Sequence, residues 1–392
     1  MTSEFEVEVI SSPERFAAIR PEWEALLGQI PDHSMFHSAE YLMSLFGAMP
    51  PGQTAYFVTL KSALTARQGQ FVAVAPFVLK QGRFPLRFGV ISLLSFRLQS
   101  LALPGNSVAC TPGVSLAMIL RVILGKLRSD GLGMIQFDCL PLDSALYRCL
   151  TEETSRSGFR FRASTPQALR GLRFSGSHED WLGAMSKKTR YNLKRAVKQL
   201  EGQCQSAMEL ICVRQEDQVP DFLGNLDQVF GNTWQAAVFG YQPRNTPAAE
   251  EQHRQLARAG LLRSYLLLCD GTPVAYLRGY QYRDVYYFEE IGFDKNRRDQ
   301  QPGTVLNFLV IEDLYRVNTP QFLDFGYGEN DYKRILGNAE TSAVTATLVR
   351  AGSREDWLVL LQSLLNSIYG SLRRLAVGLK LETRLRRLLK RR

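Results

Sequence analysis

The chain has 392 residues, 45% hydrophobic and 22% charged, a balance that excludes an intrinsically disordered protein and allows two domains with separate cores. Its net charge of +9 is unevenly placed: between Gly370 and Arg392 nine Arg or Lys residues face only Glu382, leaving about +1 for the rest. That excludes a basic globular surface of the kind that tracks nucleic acid.

In chain order, 5–10 predicts a strand and 13–27 a helix with Phe16, Ile19, Trp23, Leu26 and Leu27 on one face. A second helix covers 38–47 with Ser38 as N-cap. Strands follow at 55–60, 70–80 and 87–96, then an apolar helix over 114–127, a strand over 134–138 and a helix over 144–157 ended by Gly158. This alternation predicts a mixed α/β domain over 1–165. Its nearest approach to a phosphate loop, Pro112-Gly113, lacks flanking Arg and Gln, so this domain is expected to have no cofactor site of its own.

A second domain is expected over 171–350. Its opening helix or broken helix pair, 178–201, carries Lys187, Lys188, Arg190, Lys194, Arg195 and Lys198; this is either a solvated face or a positive wall beside an anionic ligand. A strand over 209–213 and helices over 217–234 and 252–259 come next. Strands 264–269 and 274–280 form a hairpin about Asp270-Gly271.

The stretch 284–334 organises the remainder: an aromatic strand, a turn rich in Arg, Gln and Gly, an amphipathic helix opened by Gly303, a short strand ending at Asp324, and a polar loop, GYGENDYK. A glycine-marked helix N-terminus after a strand offers backbone N–H groups and a positive dipole end to a pyrophosphate. The expected phosphate contacts are the amides of Gly303, Thr304, Val305 and Leu306, with Arg298 and Gln300 beside them. Glu289 and Glu290, adjacent on a strand, should point to opposite faces: Glu289 with Tyr287, Ile291 and Phe293, and Glu290 with Tyr286, Phe288 and Gly292. Either carboxylate could take a proton from an attacking amine or hydroxyl, and either could simply pair with Arg278 or Arg283. Asp324 could act as base, orient Lys333, or organise the loop. Trp234 and Tyr241 could stack on a sugar or belong to the core.

The segment Gln300-Gln301-Pro302-Gly303-Thr304-Val305, preceded by Arg297 and Arg298, resembles the acetyl-CoA motif of the GCN5-related N-acetyltransferase (GNAT) fold, with Val305 where that motif prefers Gly or Ala. Together with SKKTRYNLKRA (186–196), PGTVL (302–306) and LDFGYGENDYKRILG (323–337), it resembles the CelD/BcsL-type acetyltransferases of cellulose and exopolysaccharide synthesis. It is more distantly similar to the Fem-type aminoacyltransferases. The resemblance spans about 5–350 and implies two tandem acetyltransferase-fold domains. It also implies an active-site role for Lys333, as oxyanion or cofactor contact, and acceptor or phosphate contacts for Lys188, Arg190 and Lys194. Acetyl-CoA is the implied co-substrate. No metal is expected, since four separated histidines and six scattered cysteines show no ligand spacing. The cysteines read as reduced thiols of a cytosolic protein.

The C-terminal segment, 354–392, repeats Leu358, Leu361, Leu365, Ile368, Leu372, Leu375 and Leu379 at helical spacing, with Arg373, Arg374, Lys380 and Arg384 off that stripe. It reads as a basic amphipathic helix that docks on the protein, pairs with another copy, or lies on an anionic membrane. MTSEFEVEVISS shows no signal-peptide pattern, and the runs 72–79 and 90–96 are too short to span a bilayer.

The expectation is an acyl-CoA-dependent acyltransferase with an amine or hydroxyl acceptor, a small molecule or saccharide of envelope polysaccharide synthesis. It would be cytoplasmic and peripheral to the inner face of the plasma membrane. The alternatives are a Fem-type aminoacyltransferase, the one reading that brings in a nucleic acid (tRNA), and a catalytically silent scaffold.

Overall fold

The computed structural model describes residues 4–63, 68–153, 157–328 and 330–378. The first half runs β1 (Phe5–Ile10), α1 (Pro13–Gly28), α2 (Ala39–Ala48), β2 (Gln53–Ser62), β3 (Phe71–Phe88), β4 (Ile91–Ala102), β5 (Ala109–Cys110), α3 (Leu116–Ser129), β6 (Met134–Pro141), α4 (Ala145–Glu153) and β7 (Phe159–Ala163). Local chemistry sets several boundaries. Ser12 caps α1 by accepting from the Arg15 N–H, and Ser38 caps α2 by accepting from Tyr41 N–H.

The second half runs β8 (Gln167–Arg173), α5 (His178–Ala184), α6 (Lys187–Glu201), β9 (Met208–Val213), α7 (Val219–Gly231), α8 (Trp234–Phe239), α9 (Pro247–Arg258), β10 (Ser264–Cys269), β11 (Thr272–Tyr282), β12 (Val285–Phe293), α10 (Pro302–Arg316), β13 (Phe322–Asp324), α11 (Asp331–Leu336), β14 (Ala339–Arg350) and α12 (Arg354–Gly378). The helix expected over 217–234 is two, because Thr233 starts a new one by capping the Ala236 N–H. Asp270 and Gly271 turn the β10–β11 hairpin with φ of 52° and 72°.

All the strands join one mixed sheet in the order β1-β2-β3-β4-β6-β14-β8-β13-β12-β11-β10-β9, with β5 on β3 and β7 on β14. The two halves repeat one plan. Four antiparallel strands (β1–β4, β9–β12) lead through a crossover helix (α3, α10) to a strand parallel to the fourth (β6, β13). β14 crosses the boundary between them. It pairs with β8 at one end and with β6 and β7 at the other, and its Val344, Ala346 and Leu348 complete the core of the first half.

Two expectations are corrected. Cys204 and Cys269 form a disulfide across 65 residues rather than standing reduced. The strand expected over 70–80 runs on to Phe88, and the one expected over 87–96 is broken by the turn at Gly89 and Val90, its later part opening β4. Among the described residues no helix is long and apolar enough to cross a membrane.

Candidate active site in the second half

β12 and β13 run parallel for three pairs, Val285–Phe322, Tyr286–Leu323 and Tyr287–Asp324, and then separate. From Phe288 to Phe293, β12 stays paired with β11, and among the described residues no strand covers its other edge. The register with β11 also slips here: Arg278 faces Glu290 and Gly279 faces Phe288, which leaves Glu289 as a bulged residue.

The bulge resets strand alternation and overturns the expected opposition of the two glutamates. Tyr286 and Phe288 lie on the α10 side of the sheet, and beyond the bulge so do Ile291 and Phe293. Tyr287 lies on the other side. Glu289 and Glu290 therefore reach the same guanidinium, that of Arg278, at 3.7 and 3.1 Å. Glu290 also receives Arg244 Nη2 at 3.2 Å and the Tyr276 hydroxyl at 3.2 Å. Burial, and after it the Glu290 charge, keep Tyr276 protonated and thus a donor. Glu290 thus sits between two guanidiniums and a phenol and ties β12 to β11 and to the segment carrying Arg244. Glu289, with 45% of its side chain exposed, is the looser of the pair.

Asp324 meets the chemical requirement more closely. It is the last residue of β13, opposite Tyr287, at the point where the strands part. Burial pushes its carboxyl up, with the Gly326 N–H at 2.8 Å and the nearby Lys333 charge opposing only in part. A carboxyl raised towards neutrality is the form that suits a general base. Cys139 of β6 shares this neighbourhood, its thiol raised to about 11 by burial and then by the Asp324 charge.

Lys333 is 3% exposed, and its Nζ donates to the Gly326 and Tyr327 carbonyls at 2.9 and 2.8 Å. Through these two bonds the ammonium ties down the loop after β13. Tyr332, which sequence reasoning missed, stacks on Phe288 at 5.9 Å beside the strand opening. Burial raises its hydroxyl, which has no protein hydrogen-bond partner among the described residues. Arg244 was missed as well, whereas Arg278, a lone arginine within the apolar run of β11, is the partner expected for the glutamates.

At the other end of the opening, Gln301 takes a left-handed conformation (φ 55°) and α10 begins at Pro302. Gly303 packs so closely on Phe293 that a β-carbon would lie 2.9 Å from Cδ1. The Thr304 and Val305 N–H groups both close on the Gln301 carbonyl, at 3.0 and 3.1 Å, whereas no described carbonyl accepts the Gly303 N–H. The expected row of four amides thus narrows: Thr304 and Val305 are committed to the first helical turn, and the Val305 and Leu306 side chains are core. Gly303 retains a donor. Gln300 retains a buried amide oxygen without a partner, and Arg298 is exposed nearby. These residues fit a phosphate-bearing ligand with an amide-containing arm.

The remaining candidates lie elsewhere. Ser186 and Thr189 of α6 line a cleft of about 470 Å³ with Tyr315, near the end of α10. Tyr315 is about 18 Å of helix axis from Gly303, and Lys188 and Arg190 belong to the end of α6 that carries this cleft; Arg190 Nη1 donates to the Gly183 carbonyl at 3.2 Å. Lys194 is exposed midway along α6, near His178. Tyr241 is exposed, with its hydroxyl bound to Asp227 at 2.5 Å. The Trp234 side chain lies outside the described residues. Among them the only metal-like grouping, Cys204, Cys269 and Asp270, has its sulfurs in the disulfide and its carboxylate on the Gln205 and Ser206 amides.

Residues 187–334 match the sequence profile of the acetyltransferase (GNAT) domain family. Among solved structures, FemX overlays with a TM-score of 0.59 at 10% identity, over 91% of this chain and 100% of its own. The C-terminal domain of a putative lysylphosphatidylglycerol synthetase from Agrobacterium fabrum gives 0.52 at 12%, over 88% and 95%. A conserved protein of unknown function from Bacteroides thetaiotaomicron gives 0.51 at 10%, over 87% and 100%. At such identities the likeness is one of fold. No curated protein matches the chain. The chain is thus a mixed α/β protein, of which residues 187–334 match the acetyltransferase (GNAT) domain family.

Proposed function

We propose that the protein is an acyltransferase that takes its acyl group from a CoA thioester and passes it to an amine or hydroxyl. The observation that carries this reading is the strand edge of β12 over 288–293, which β13 leaves at Asp324 and which ends at Phe293 against Gly303. Gly303 and Arg298 would hold the phosphate-bearing end, the Gln300 amide oxygen would accept from an N–H of the arm, and the edge of 288–293 would align that arm. The thioester supplies the activated acyl group; Asp324 accepts the acceptor's proton, and Arg278 fixes the bulge through Glu289 and Glu290. The CelD/BcsL-like segments support a saccharide acceptor in envelope polysaccharide synthesis and a cytoplasmic site of action.

Adding acetyl-CoA at about a hundred times its Kd should stabilise the protein by about 2.7 kcal/mol, a rise of several degrees in a thermal-shift titration. An unmoved transition with an intact fold would remove the CoA reading. The end-to-end overlay on FemX favours an aminoacyl donor as the second reading; stabilisation by aminoacyl-tRNA and not acetyl-CoA would select it. A response to neither would favour the silent scaffold.

A further inference from the structure

The ribbon formed by the outer parts of β3 and β4 turns at Gly89 and Val90, and α12 lies along it. Leu358, Val359 and Leu365 of the helix pack against Leu86, Leu98, Phe84 and Phe96. Gln362 hydrogen-bonds both backbone groups of Arg87, at 2.7 and 3.0 Å, and Tyr369 meets Phe88 edge-on at 5.4 Å. Tyr369 also fills the space where a β-carbon on Gly89 would fall, 2.4 Å from its ring. The predicted stripe therefore splits. Leu358 and Leu365 dock inward, while Leu361, Leu364, Ile368, Leu372 and Leu375 form an outward row.

From Tyr369, level with the ribbon's turn, α12 runs nine residues further to Gly378, about 13 Å of helix. The turn is itself apolar: Val90 is 82% exposed, and Ile91, Leu93 and Leu94 are exposed with it. Two separate elements thus bring large aliphatic side chains to one end of the molecule, a concentration that marks an interaction surface. Charge identifies the occupant. Arg373 and Arg374 flank the row, and the following 379–392 carry seven Arg or Lys against Glu382. A second copy on this face would set cation against cation, whereas an anionic lipid surface complements both the charge and the aliphatic tip.

We propose that the β3–β4 turn and the distal half of α12 form a two-pronged site that docks this protein on an anionic bilayer, the aliphatic prongs entering the interface and Arg373 and Arg374 meeting the headgroups. The inference is independent of the acyl donor.

The full-length protein should co-sediment with phosphatidylcholine vesicles containing about one third phosphatidylglycerol at least tenfold more strongly than with phosphatidylcholine alone, and less at high salt. Leu372→Glu/Leu375→Glu and, separately, Val90→Asp change exposed side chains and should each lower that partitioning at least tenfold without moving the melting transition. Removing everything after Gly352 is a poorer test, because Leu358 and the Asp356 ion pairs with Arg160 and Arg162 belong to the fold. Unchanged partitioning of both variants would overturn the proposal. So would a stable dimer, abolished by the same substitutions, from a protein that ignores vesicles.

Discussion

Asp324→Asn is expected to slow acyl transfer by roughly two to four orders of magnitude while leaving the melting temperature unchanged or slightly higher. The substitution keeps an oxygen for the Gly326 N–H and removes only the ionisable group. Because burial raises the Asp324 carboxyl above its ordinary 3.8, the folded state binds that proton more tightly than the unfolded chain does. Stability from this group is therefore lost as pH rises from 3.8 through the raised folded value, and at neutral pH the buried charge costs the fold free energy. Asparagine removes that cost. Release of CoA thiol, with the best acceptor from a screen of amino sugars and alcohols, reads the activity. In the wild type that activity should fall as pH drops through the raised value. A variant that loses stability and activity in proportion would assign Asp324 to structure alone.

Arg263→Met should cost about 3–5 kcal/mol of stability, a fall in melting temperature on the order of 5–10 °C. Arg263 is 2% exposed and crosses the core behind the site. It bonds the Asp313 carboxylate at 3.0 Å, the Tyr265 hydroxyl at 2.7 Å and the carbonyls of Val317 and Asn318 at 2.7 and 3.1 Å. It thereby satisfies the carbonyl end of α10 and fixes that helix against β10 and β11. Burial pushes the Asp313 carboxyl up, but the hydrogen bonds from Arg263 and Tyr265 outweigh it and hold it below 3.8. Its contribution is thus present above 3.8 and lost as pH falls through the folded value. Without Arg263 the sign reverses, so the variant's deficit should shrink in mild acid. Arg263→Met/Asp313→Leu should recover much of the loss, because breaking a buried pair costs more than replacing it. Melts of the wild type and both variants at pH 4.5 and 7.5 check both statements.

Features written in a few consecutive residues were legible from sequence. Asp270-Gly271 specifies a tight turn wherever it occurs, Ser38 caps whatever helix follows, and Gly303 after an aromatic strand marks a helix start. Features that depend on strand register or on distant partners were not. The bulge that turns Glu289 and Glu290 to one side exists only against β11, where Gly279 leaves no side chain opposite. The carbonyl partners of Lys333 lie in a loop whose path the sequence does not reveal. Cys204 and Cys269 meet only when β9 and β10 pair, and Leu358 is separated from Leu361 in role only by the ribbon under α12. The basic residues of α6 drew attention by number, yet Lys188 and Arg190 project from the far end of the helix.

Backbone hydrogen exchange, with and without acetyl-CoA, tests the central claim most directly. Protection is predicted in two segments, the open edge of β12 over 288–293 and the turn into α10 over 298–304, with no comparable change in β3, β4 or α3 of the first half. Binding that leaves both segments unprotected, or that protects the first half instead, would contradict the account.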